Sequence, residues 1–157
     1  MAFVLKKFIP AFVFLIILTV LLCLPGNTLP TTSGNWFQLV HADKLIHIFL
    51  FATLTYLCCK PIALKGFIKS ILTKLYFVIA LIATFYGFIM ELVQHWFIPG
   101  RAFEGLDILA DAIGCFVGYY IAKYILNKQV ALTNQQLQQE AMTYAKGLVK
   151  DKLRVKL

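Results

Sequence analysis

Three pairs of ionisable side chains stand four residues apart: Asp43 and His47, Glu91 and His95, Asp107 and Asp111. On a helix each pair shares a face. A histidine with a carboxylate one turn away can act as an oriented general base. The same groups, His47, His95, Glu91, Asp107 and Asp111, are chemically adequate metal ligands. No HExxH-type signature accompanies them, and no serine or cysteine nucleophile stands nearby at a distinctive spacing. Catalysis, metal binding and structural ion pairing all stay open, and no particular cofactor is named.

The elements that must position these groups are apolar. The chain has 157 residues, 61% of them hydrophobic and only 14% charged, with a mean hydropathy of +0.80. A soluble domain carries about a quarter charged residues and could not hide this much apolar surface. A bilayer is the natural solvent. The fold class expected is all-α: a four-helix transmembrane bundle with helices at about 5–24, 42–60, 73–97 and 105–126. A basic tail, 127–157, follows the membrane domain, 1–126. Within the tail, Leu137, Ala141, Tyr144 and Leu148 recur at helical spacing among lysines. This suits either a short amphipathic helix on the membrane surface or a frayed end.

The first run opens like a signal peptide, with Lys6 and Lys7 before Phe8–Leu24, but its exit (Cys23-Leu24-Pro25-Gly26) lacks a small-residue cleavage site. A retained helix is expected. Residues 25–42 read as a loop rich in Pro, Gly, Asn, Ser and Thr, with Trp36 and Phe37 suited to a membrane interface and His41 without a specific role. The four cysteines lie in apolar runs without metal or redox spacing, and read as small buried hydrophobes.

A net charge of +8 raises the question of nucleic acid. The basic residues, however, punctuate apolar runs and do not form a patch with interleaved aromatics, so no nucleic-acid partner is expected. Topology accounts for them. Thirteen of the fifteen Lys and Arg residues flank the first run, separate the second from the third, or follow the fourth. Lys44 and Arg101 alone fall on the other side. The positive-inside rule then puts both termini in the cytoplasm.

Five of the seven carboxylates and all three histidines share the side of Lys44 and Arg101. Spans of about 20 residues draw Asp43, Lys44 and His47 into the outer turns of the second helix. They also enclose Glu91 near the end of the third, and Asp107 and Asp111 at the start of the fourth. Ionisable groups at that depth should face one another or a wet cavity, not lipid. Gly87, Glu91 and Gln94 line one stripe; Asp107 and Asp111 continue into Gly114 and Gly118, a GxxxG that permits close helix approach. Five carboxylates against two permanent cations need compensation, whether by protons, protonated histidine, a metal ion or a cationic ligand group. Arg101, beside Glu91, Glu104 and Asp107, suits either an ion pair or an anion contact.

In order and spacing these residues resemble the VanZ-like family of small bacterial membrane proteins. The resemblance rests on Asp43-Lys44-x-x-His47, Glu91-x-x-Gln94, Pro99-Gly100-Arg101-x-Phe103-Glu104 and Asp107-x-x-x-Asp111-x-x-Gly114-x-x-x-Gly118, and covers most of residues 8–126. The chain departs from the family at Asp111, where Asn is common, and at Glu104, where Asp is usual. The resemblance implies a multi-pass protein of the bacterial cell (inner) membrane, a family whose namesake is associated with low-level resistance to a glycopeptide antibiotic. It carries over no catalytic residue.

The expected function is therefore a cell-envelope binding or accessory protein. Its ligand-binding groups are Asp43, Lys44, His47, Glu91, Gln94, Arg101, Glu104, Asp107 and Asp111, and its partners are the lipid bilayer and a lipid-linked or peptidic envelope component. The alternative is a membrane-embedded hydrolase or transferase acting on a lipid-linked headgroup, with His47 or His95 working beside Glu91 or Asp107. Ion or proton transport is disfavoured, because the inner halves of the helices carry almost no ionisable groups. The GxxxG suits packing within the chain or between copies, so oligomeric state is left open.

Overall fold

A computed structural model describes residues 6–25, 42–63 and 68–154, the side chains of Ala42 and of 148–154 excepted. Trp36, Phe37, His41 and Lys65 lie outside the described residues. Every regular element among the described residues is helical: α1 (Ile9–Leu22), α2 (Ala42–Ala63), α3 (Lys69–Phe97) and α4 (Gly105–Arg154).

Three of the four, α2, α3 and α4, are long and apolar enough to cross a membrane. With 14 residues, α1 rises about 21 Å, short of a hydrocarbon core of roughly 30 Å. The expected 5–24 contracts at both ends, to Ile9 and to Leu22, and the chain turns at Lys7 and Phe8 and again at Cys23 and Leu24. Pro10 lies in the first turn, where its missing N–H costs little. Helix α2 runs past 60, through Pro61 to Ala63, and α3 starts at Lys69 instead of 73.

The largest departure is α4. It does not stop at 126 but continues without a break to Arg154, 50 residues in all, or about 75 Å. Residues 127–146 contain no Pro or Gly and are rich in Gln, Leu, Ala and Lys, all good helix formers. Extending an existing helix needs no new nucleus, so propagation continues where hydrophobic periodicity has ended.

Packing follows small residues. Helices α2 and α4 run parallel and make the most extensive contact of the bundle. A β-carbon on Gly114 would lie 2.5 Å from the Ile48 carbonyl oxygen, and one on Gly118 would overlap the backbone of Ala52. The GxxxG thus serves packing within the chain. Along α3 the buried residues Leu72, Tyr76, Ala80, Ala83, Gly87, Glu91 and Gln94 form one stripe facing the other helices. Phe12, Phe49, Ile82, Phe85 and Leu109 face outward, as lipid-contacting residues would. The four cysteines are free, Cys59 and Cys115 fully buried.

Side-chain contacts bring the C-termini of α1 and α3 and the N-termini of α2 and α4 to one end. That end carries the polar residues.

Candidate functional site: the polar end of the bundle

Lys44 is the centre of this end. Its ammonium lies 2.8 Å from Asp43 Oδ2 and 2.5 Å from Glu104 Oε2, and it is ion-paired with Asp107 Oδ1 as well. The lysine side chain is 13% exposed while Asp43 and Glu104 are more than half exposed. Parallel packing of α2 on α4 produces this: Lys44, in the first turns of α2, meets the first turn of α4. Asp43 and Asp107 sit in the first turns of their helices, where the positive end of the macrodipole favours a carboxylate. Oxygens of Asp43, Glu104 and Asp107 come within 4.8 Å of one another, close enough to hold a metal ion. The Lys44 ammonium already meets all three, so their charge has an internal partner.

One turn deeper, His47 Nδ1 hydrogen-bonds Asp111 Oδ1 at 2.8 Å, and both side chains are buried. In the tautomer with the proton on Nδ1, Nε2 carries the lone pair, which is the arrangement an oriented base requires. Asp107 and Asp111 share the buried face of α4, as their spacing predicts. The other two four-apart pairs separate. Asp43 turns out to Lys44 instead of His47, and His95 is exposed, edge-on to the Phe103 ring at 6.2 Å.

Glu91 is buried and accepts the Glu104 N–H through Oε1 at 2.6 Å. It thereby fixes the connector to α3 just before α4 begins. The connector turns at Pro99-Gly100, with Gly100 at φ +77°, a conformation glycine adopts without steric cost. Gln94, 2% exposed, donates from Nε2 to the Leu22 carbonyl at 2.7 Å. Arg101 reaches the Leu24 carbonyl through Nη2 at 3.5 Å, and its buried Nε has no hydrogen-bond partner among the described residues. The two side chains thus address the last carbonyl of α1 and one in the turn that follows it, neither of which a further helical turn can satisfy.

All nine expected site residues gather at this end, in three groups: Lys44 with Asp43, Glu104 and Asp107; His47 with Asp111; Glu91, Gln94 and Arg101 along the connector and α1. Sequence reasoning missed the acceptors. Backbone carbonyls of Leu22 and Leu24 have no signature in residue type. The Thr19 hydroxyl, 2.8 Å from Tyr86 OH, ties α1 to α3 and was equally silent.

Comparison with protein-family models, curated proteins and solved structures gives no match to this chain. The membrane-embedded helical fold and the geometry of the polar end carry the functional reading alone.

Proposed function

We propose that the chain is a multi-pass protein of the bacterial cell membrane, VanZ-like in kind, whose polar end faces outward and binds a lipid-linked or peptidic component of the envelope. The observation carrying this reading is the joining of α2 and α4 through Lys44 and its three carboxylates. Ionisable groups inside a membrane protein are costly and mark functional sites by default. Here they are gathered at one end, two of the carboxylates open to solvent and the others buried behind them. With Lys44 already paired, Arg101 is the remaining permanent cation for an anionic ligand group. The exposed oxygens of Asp43 and Glu104 suit an amine. A ligand bearing both, as peptide- and phosphate-bearing envelope precursors do, matches this surface. The thirteen basic residues that flank the opposite ends of the spans support an outward polar end and cytoplasmic termini. A role in tolerance of glycopeptide-type antibiotics would follow from holding such a component.

Thermal protection of the purified protein tests the reading. A polyprenyl-phosphate lipid or a lipid-linked peptide precursor should raise the unfolding midpoint, and Arg101→Ala should remove that shift while the unliganded protein stays folded. Protection undiminished in Arg101→Ala would contradict the assignment.

The buried His47–Asp111 pair favours one second reading, a hydrolase or transferase in which His47 activates water or a substrate hydroxyl. Mass spectrometry of envelope lipids after deletion and overexpression separates the two, since a binder leaves covalent structures unchanged.

A further inference from the structure

At the other end of the spans, α3 and α4 form the walls of a second feature, a groove open to the surface. A cavity of about 520 Å³ is lined by Lys69, Tyr120, Lys123, Tyr124, Asn127 and Lys128 among others. Lys123 and Lys128 lie 16 and 21 residues beyond Asp107 on one continuous helix, so the cavity is roughly 25–30 Å from the polar end, close to the thickness of a hydrocarbon core. Asn127 is 8% exposed, and neither its amide nitrogen nor its oxygen has a hydrogen-bond partner among the described residues. A buried amide left unpaired costs free energy, so a polar ligand group that reaches it gains a hydrogen bond.

The surroundings specify that partner's charge. Among the described residues, no acidic side chain lines the cavity and no ion pair engages Lys69, Lys123 or Lys128. Lys69 is the first residue of α3, whose N-terminus has no side-chain cap among the described residues, and the positive end of the macrodipole there favours an anion. Lys123 Nζ is held 5.8 Å from the centre of the Tyr119 ring. Tyr120 and Tyr124 are exposed, as rings at the headgroup level of a membrane are.

We propose that this cavity binds the phosphate of an anionic phospholipid headgroup, with the three lysines meeting the phosphate oxygens and Asn127 hydrogen-bonding to the headgroup. Acyl chains would lie along the apolar outer faces of α3 and α4. The inference requires only that these two helices cross a bilayer, and it is independent of what the polar end binds.

Native mass spectrometry of the full-length protein released from detergent tests it, with phosphatidylglycerol and phosphatidylcholine of matched acyl chains as probes. The wild type should retain phosphatidylglycerol about fivefold over phosphatidylcholine. K69Q/K123Q/K128Q should bring the two within about twofold, with its unfolding midpoint in detergent unchanged. Asn127→Leu, which removes the unpaired amide from an otherwise apolar contact, should lower retention about threefold without lowering that midpoint. Equal retention of both lipids by the wild type, or an undiminished preference in the folded triple variant, would overturn the proposal. Saturable binding of inorganic phosphate alone, lost in the same variants and competing with the lipid, would assign the site to a free anion and overturn it equally.

Discussion

Gly87 of α3 lies directly against Asp111 of α4: a β-carbon at position 87 would stand 2.6 Å from Asp111 Oδ2 and 3.0 Å from both Asp111 Cβ and Phe51 Cε1. The glycine is what lets the carboxylate sit inside the bundle within reach of His47. Gly87→Ala should push Asp111 off His47 and destabilise the protein by about 1–3 kcal/mol, the usual cost of overpacking. Thermal unfolding in detergent measures the loss. An unchanged midpoint would mean that the α3–α4 contact is looser than this geometry.

Lys44→Met keeps the apolar stem but leaves Asp107, 6% exposed, without its cation. Removing one partner of a buried ion pair costs about 3–5 kcal/mol. The cost here should fall at or below the lower limit, because Asp43 and Glu104 are open to water. K44M/D107N should recover a large part of the loss, a coupling that a double-mutant cycle on unfolding midpoints resolves. Additive losses would place the effect elsewhere.

How much of this arrangement was legible beforehand differs from residue to residue. The apolar runs announced the helices, and the lengths needed to span a membrane placed Asp43, His47, Glu91, Asp107 and Asp111 at one end. The Gly114-x-x-x-Gly118 pattern announced a close helix contact, though not that Ile48 and Ala52 of the same chain fill it. Pairing was less legible. Four-residue spacing says that two side chains share a face, not which face turns inward, and so it paired Asp43 with His47. The long Lys44 stem reaches inward to α4 instead and draws Asp43 with it. The extension of α4 past 126 was half legible: Leu137, Ala141, Tyr144 and Leu148 recur at helical spacing, but an exposed stripe of that kind fits a separate surface helix or a frayed end as well as an unbroken continuation of α4.

The close approach of α2 and α4 gives a third prediction. Gly114→Ala should cost about 1–3 kcal/mol through overlap with the Ile48 backbone. Because the glycine packs within the chain, the variant should melt earlier while eluting at the same size in gel filtration. A shift to a smaller species would instead assign the glycine stripe to contact between copies.

Gln94→Leu removes the donor to the Leu22 carbonyl. Leaving a buried acceptor unmade costs about 1–3 kcal/mol, and the loss should be felt where α1 docks. Hydrogen exchange should rise in α1 ahead of α2 and α4. Uniform acceleration across all four helices would show that α1 does not open separately.

The outward position of the polar end is most directly tested by thiol labelling with a membrane-impermeant maleimide, in a chain whose four native cysteines are replaced by alanine. Glu104→Cys should label in intact spheroplasts, whereas Thr143→Cys, on the exposed extension of α4, should label only after the membrane is permeabilised. The reverse pattern would put the Lys44 cluster in the cytoplasm and contradict the account.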